Sequence, residues 1–279
     1  MDKVQKGFPS GIKSFDAILK DNVLQNSVIL LMNEVGAGAR SWMYTSLAGL
    51  SHMKAEQSAK KTNQRLPDKI LYISLSRSKE EVLGEISDLK IANIAELEKM
   101  LVFIDLSYRY FSSSNVPRSW IQGNEAGGVD VPPFTESSSL MDELVKILDA
   151  HARNSIVVID SMNDLIRLQP EGKEEWTRLI ILMKGISRMA MIRNNNVYVF
   201  LTMSILEKNR EEDIADNSNS VLVFKWDSSS MSQPRSIMQI KKFKGILPIR
   251  SEGLMLTLET KLSPERGFEV SYTKEILGK

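Results

Sequence analysis

The chain has 279 residues, 42% of them hydrophobic, and 36 Lys and Arg stand against 35 Asp and Glu for a formal charge of +1. That is enough apolar surface for a substantial core, and it leaves no general electrostatic attraction to nucleic acid or anionic lipid. The absence of cysteine excludes disulfides, thiolate zinc sites and a cysteine nucleophile, and two histidines are too few for a histidine-built metal centre.

From the amino end, residues 1–15 contain no apolar run of signal-peptide type, and no later stretch reaches about 18 uncharged apolar residues, so a cytoplasmic protein without a membrane partner is expected. The run 28–32 (VILLM) reads as a buried strand, and 41–53 as a helix with Met43, Leu47 and Leu50 on one face. Strand and helix patterns then alternate: strand 70–75, helix 79–89, strand 101–106, helix 138–151 with Leu140, Leu144, Ile147 and Leu148 in phase, strand 156–159, helix 173–193, strand 197–202. This alternation predicts an α/β fold with a mostly parallel sheet covered by helices on both faces. Four later runs, 221–226, 236–243, 254–258 and 268–272, predict an antiparallel extension of that sheet. No linker divides the chain, so residues 1–279 are expected to form one domain, with long loops at about 111–139 and 207–220. His52 and His151 read as packing or capping residues.

The segment after the first strand, NEVGAGARS, stands where a phosphate-binding loop stands between strand and helix. In the usual pattern a glycine, four residues and Gly-Lys-Ser/Thr follow the strand. With Gly38 as the second glycine, Asn33 replaces the first glycine, Ala39 the lysine and Arg40 the hydroxyl. Gly36 and Gly38 keep a turn that can aim N–H groups at an anion. The missing ammonium is worth about 4 kcal/mol at about 4 Å with an effective dielectric of about 20. Arg40 and Ser41 restore a cation and a magnesium hydroxyl only if the loop is shifted by one residue, a rotation of about 100° on the helix; otherwise Arg40 points away from the phosphates. The candidate loop is therefore Glu34, Val35, Gly36, Ala37, Gly38, Ala39, Arg40 and Ser41, and a simple strand-to-helix turn with small residues is the competing explanation.

The order of segments resembles the KaiC-like branch of the RecA superfamily, including its archaeal RadA-like members. The resemblance is carried by GFPSGIKSFDAIL before the loop strand, with Gly11 and Phe15-Asp16 in place; by KILYISLSRSKEEVL; by SIVVIDSMNDL; and by IMQIKKFKG with Lys242, Phe243, Lys244 and Gly245 in register. It implies a RecA-like P-loop fold. It makes Asp160 with Ser161 the Walker B pair, a hard oxygen ligand for magnesium. It implies contacts from Lys242 and Lys244 to a neighbouring subunit's phosphates, and γ-phosphate sensing by Thr202 and Ser204. Where the family carries catalytic carboxylates this chain has Ser76 and Arg77, neither of them a general base at neutral pH. Ser78 and Glu81 have the spacing of a capping box.

The expected function is therefore that of a pseudo-ATPase, a regulatory or scaffolding module that binds ATP or ADP with magnesium weakly or not at all. Similar archaeal proteins are described as inactivated and linked to signal transduction. The alternatives are a slow ATPase using Arg40 and Ser41, and a DNA-binding paralogue. The acid-rich EKNREEDIADNSNS at 207–220 speaks against the last, because counterion release needs clustered Lys and Arg. A protein partner or self-association is expected, with YRYFSSSNVPRSW as one candidate contact.

Overall fold

Strands that are continuous runs of Val, Ile and Leu must be covered on both faces, and this requirement organises the molecule. The computed structural model describes residues 7–19, 24–60, 65–112, 114–121, 139–168, 172–227, 235–244 and 256–272. In chain order the elements are β1 (Gly7–Phe8), α1 (Lys13–Leu19), β2 (Leu24–Gln25), β3 (Ser27–Asn33), α2 (Ala39–Lys60), β4 (Lys69–Ser74), α3 (Lys79–Ser87), α4 (Ile94–Met100) and β5 (Leu101–Asp105). Then follow α5 (Ser107–Phe111), α6 (Arg118–Ile121), α7 (Leu140–His151), β6 (Ser155–Asp160), α8 (Met162–Arg167), α9 (Lys173–Ile192) and β7 (Asn196–Thr202). The last are α10 (Lys208–Asp216), β8 (Ser220–Asp227), β9 (Arg235–Lys242), β10 (Leu256–Ser263) and β11 (Gly267–Tyr272).

Nine strands form one sheet in the order β11-β10-β9-β8-β3-β7-β6-β4-β5. The six from β8 to β5 are parallel, and β9, β10 and β11 add antiparallel ladders at one edge. Side-chain alternation splits the core in two: Ile29 and Leu31 of β3 face α1 to α4 and β11, whereas Val28, Leu30 and Met32 face α7 to α10. No helix among the described residues is long and apolar enough to cross a membrane.

The expected helices and strands are present, with four corrections. Strand β8 was expected to open the antiparallel extension, but it pairs parallel with β3, Leu31 opposite Leu222; its run of five buried residues is that of an interior strand. The expected loop at 207–220 contains α10, held by burial of Glu211, Ile214 and Ala215. The expected loop at 111–139 begins with the end of α5 and includes α6, and 122–138 lie outside the described residues. The box at Ser78 is half made: its side chain accepts the Glu81 N–H, but Glu81 turns to Arg77 at 2.7 Å rather than back to the cap. A full capping box forms instead at Ser139 and Asp142, starting α7.

The lead-in before β3 is locked to α2. The Asp16 carboxylate accepts the N–H groups of Ser10 at 2.8 Å and Gly11 at 3.2 Å, turning the chain into α1. Gly11 holds φ of +80°, and a Cβ on Gly49 would stand 2.0 Å from the Gly11 carbonyl oxygen. Substituting Gly49→Ala is therefore expected to lower stability by about 2 kcal/mol, the usual cost of overpacking without room to relax, read from chemical denaturation midpoints.

Candidate functional site

The loop between β3 and α2 has the backbone expected of an anion-binding turn, with Gly36 at φ +78° and Gly38 at φ +101°. Two of its N–H groups, those of Ala37 and Ala39, are however taken from within the chain. The Asn33 side chain, where a glycine is usual, reaches over the turn and accepts the Ala39 N–H at 3.2 Å, so it caps α2 with its own carbonyl. The Ala37 N–H is taken by the Glu34 carbonyl at 3.0 Å.

The outer side of the loop is covered by β8 and the antiparallel strands beyond it. The Trp226 backbone N–H donates to the Glu34 carboxylate at 2.8 Å, and its indole donates to the Val35 carbonyl at 3.0 Å. The Ser236 hydroxyl donates to the Ala37 carbonyl at 2.7 Å. Phe268 lies so close that a Cβ on Gly38 would meet its ring at 3.1 Å. Phe268 is itself fastened to α2, its N–H donating to the Thr45 hydroxyl at 2.8 Å. Only the Val35 side chain, 81% exposed, projects from the loop tip.

Behind the loop, Arg40 crosses to the end of β6 and donates from a terminal nitrogen to Asp160 Oδ1 at 2.8 Å. This corrects the expectation that an unshifted Arg40 points away: its long side chain lies over the Phe200 ring, 5.6 Å from the centroid, and turns back into the site. The second Asp160 oxygen accepts the Tyr72 hydroxyl at 2.8 Å. Asp160 is 1% exposed and the Arg40 side chain 47%, so a half-hydrated cation closes over a buried anion. Burial opposes the Arg40 charge, but the carboxylate beside it outweighs that and raises its pKa above the ordinary guanidinium value. Burial, reinforced by Asp160, pushes the pKa of the Tyr72 hydroxyl well up.

Just after β4, Arg77 is built into a second cluster. Its guanidinium contacts Glu81 at 2.7 Å, Glu85 at 2.8 Å and the Tyr44 hydroxyl at 2.7 Å, and Tyr44 donates to Glu85 at 2.8 Å. Burial works against the Arg77 charge, yet Tyr44 and the two carboxylates raise its pKa. Ser76 donates to Asp164 at 3.3 Å.

The remaining candidates are engaged locally. Ser161 caps α8, donating to the Asp164 carboxylate at 2.7 Å and following Asp160 through a cis peptide. Thr202 is clamped by Asn163, whose side chain accepts its N–H at 2.7 Å and donates to its carbonyl at 3.1 Å. Ser204, at φ +63°, gives its N–H to Glu211 at 2.6 Å. Lys242 and Lys244 lie at the opposite end of the sheet from the loop: Lys242 donates to the Asp216 carbonyl at 2.6 Å and Lys244 to the Asn26 carbonyl at 2.9 Å, while Gly245 lies outside the described residues. Desolvation lowers the Lys244 pKa. His52 is not a packing residue but an exposed one, 3.9 Å from Glu56 and 3.8 Å from Glu96. Arg40, Asp160 and Ser161 are thus brought together with Tyr72, which sequence reasoning missed.

No protein-family model matches the chain, and no curated protein matches it in sequence. Solved structures do. A KaiC-like protein from the hyperthermophilic archaeon Pyrococcus horikoshii OT3 superposes with a TM-score of 0.60 at 13% identity, covering 95% of this chain and 98% of that one. The flagellar accessory protein FlaH from Methanocaldococcus jannaschii gives 0.60 at 12% identity, covering 93% and 95%. Together with the strand order and flanking helices, these likenesses place the chain in the RecA-like fold.

Proposed function

We propose that this RecA-like chain is a pseudo-ATPase: a regulatory or scaffolding module that works through protein contacts and does not turn over nucleotide. The observation that carries this reading is the double engagement of Asp160 by Arg40 and Tyr72. A magnesium ion with its water shell needs a free carboxylate at that position, and a γ-phosphate needs a cation facing it. Here the one cation on the loop is spent on the one Walker B acid. The Asn33 side chain takes a loop N–H that a phosphate oxygen would accept, and Ala39 supplies no ammonium. The residues present therefore do not fit magnesium-ATP.

The composition of residues 207–220, which hold more acid than base, supports a protein partner over nucleic acid. The flagellar accessory protein from Methanocaldococcus jannaschii, of similar fold, is an accessory protein by name, which agrees with this reading.

The inward direction of Arg40 favours one second reading, a slow ATPase in which Arg40 releases Asp160 and serves as the phosphate cation. A single experiment separates the two. Under the pseudo-ATPase reading, millimolar ATP with magnesium leaves the melting temperature unchanged, whereas ligand at about 100 times its dissociation constant would add about 2.7 kcal/mol, or roughly 5–10 °C. ATP turnover above background that disappears in Asp160→Ala would overturn the proposal in favour of the slow enzyme.

A further inference from the structure

Two arginines are anchored beside the same buried acid. Strands β4 and β6 are neighbours with Ser74 opposite Asp160, and the Leu75 N–H donates to the Asp160 carbonyl at 2.8 Å. The turn that follows is fixed to that point: the Ser74 hydroxyl accepts the Arg77 N–H at 2.9 Å and donates to the Arg77 carbonyl at 2.6 Å. The Arg77 backbone is therefore held next to the end of β6, and Arg40 arrives at the same end from the first turn of α2. Of the two guanidiniums Arg77 is the less hydrated, its side chain 10% exposed against 47% for Arg40. By burial alone it is the stronger partner for an acid shut away from water. Asp160 is nevertheless held by Arg40.

What diverts Arg77 lies on α3. Glu85 closes a ring with it: one carboxylate oxygen contacts the guanidinium at 2.8 Å, the other accepts the Tyr44 hydroxyl at 2.8 Å, and Tyr44 in turn accepts from Arg77 at 2.7 Å. Glu81 adds a second carboxylate, met by Nε at 2.8 Å and by a terminal nitrogen at 2.7 Å. Tyr44 follows Arg40 by one turn of α2, so the ring and the Arg40–Asp160 pair meet on one face of that helix. Each cluster lies in the field of the other: Arg77 opposes the charge of Arg40, and Asp160 acts on Tyr44. Asp160 is sealed off, but the Glu81 and Glu85 side chains are half-exposed.

We propose that Glu81 and Glu85 decide which arginine holds Asp160: by neutralising Arg77 they leave the acid to Arg40, and removal of their charge turns Arg77 into a competitor that loosens Arg40 from it. No movement of α2 is needed, because an uncompensated guanidinium in a poorly hydrated site weakens the hold of a like charge on a shared anion. The closed site thereby has its control on the surface of α3, where two carboxylates answer to charge brought against them from outside. The inference rests on the engagement of Asp160 by Arg40, which also carries the pseudo-ATPase reading.

The test is the reactivity of Arg40 toward phenylglyoxal, which modifies guanidinium groups, read by peptide mass spectrometry on the full chain with the exposed Arg266 as reference. In the wild type Arg40 should react more slowly than Arg266. Glu81→Gln combined with Glu85→Gln should speed Arg40 roughly fivefold, the low end for coupled sites because both acids are partly hydrated. Glu85→Gln alone should fall between the two rates. Adding Arg77→Met or Arg77→Gln to the double variant should return Arg40 to its wild-type rate, a rescue that a merely loosened helix does not give. Glu98→Gln, which removes an acid paired with Lys79 instead, should change nothing. Unchanged Arg40 labelling in the double variant overturns the proposal and leaves the Arg40–Asp160 pair, and with it the pseudo-ATPase reading, in place. Labelling that stays fast after Arg77 is neutralised, or that Glu98→Gln speeds equally, overturns it as well. If wild-type Arg40 reacts as fast as Arg266, the pair itself is absent and both readings fall.

Discussion

Replacing Arg40 with alanine should destabilise the fold by about 3 kcal/mol, the lower end of what breaking a buried ion pair from one side costs, because the guanidinium is half hydrated while its partner is not. The truncation leaves Asp160, 1% exposed, with the Tyr72 hydroxyl alone. The loss should therefore come less from the missing attraction than from a stranded carboxylate. That distinction can be measured. In Arg40→Met with Asp160→Asn no charge remains to be stranded, and most of the stability should return in urea denaturation. If the double variant is as unstable as the single one, the pair is not the element holding the site closed. In activity terms Arg40→Ala also frees the acid without supplying a phosphate cation, so no ATP turnover should appear with it.

Trp42→Ala should cost more, about 3–5 kcal/mol, or a melting temperature lower by roughly 10 °C. The indole is fully buried at the start of α2 and packs against Phe15 at 5.9 Å, Tyr198 at 5.6 Å and Phe224 at 6.2 Å between ring centroids. It ties together the lead-in helix, a central strand and the strand that bears Trp226. Its Nε1 has no hydrogen-bond partner among the described residues, so its contribution is packing. Trp42→Phe should accordingly retain much more stability than Trp42→Ala. Equal losses in the two variants would show that the indole nitrogen, not the ring, matters.

Much of the fold was legible because its signals are local and periodic. The strands of β3, β4, β6 and β7 are short continuous apolar runs, and α7 and α9 repeat at helical spacing. Short elements escaped notice. Helices α1, α4 and α8 have six or seven residues each, and α8 rests on the Ser161 cap more than on any stripe. Helix α10 escaped because its sequence is nearly all polar and its three buried positions acquire meaning only against the sheet. The direction of β8 could have been read from SVLVF, whose unbroken apolar run belongs to an interior parallel strand.

The site divided along the same line. That position 39 is alanine and that Ser76 and Arg77 are not carboxylates is a matter of residue identity and can be read from sequence. What engages Asp160 is not, because Arg40 meets it across 120 residues and Tyr72 meets it across 88. Helix geometry alone sent Arg40 outward; a side chain long enough to fold back defeated that reasoning.

The clasp on the loop from Trp226, Ser236 and Phe268 has a thermodynamic consequence. In a nucleotide-gated protein the loop's order is linked to ligand, so its rigidity rises and falls with ligand concentration. Here that order is linked to β8 and the antiparallel strands beyond it, and the loop tip can open only together with strands that belong to the cooperative folding unit. Under the proposed pseudo-ATPase reading, the surface formed by Val35 and Trp226 is therefore a constant of the fold rather than a variable of the cell's energy state.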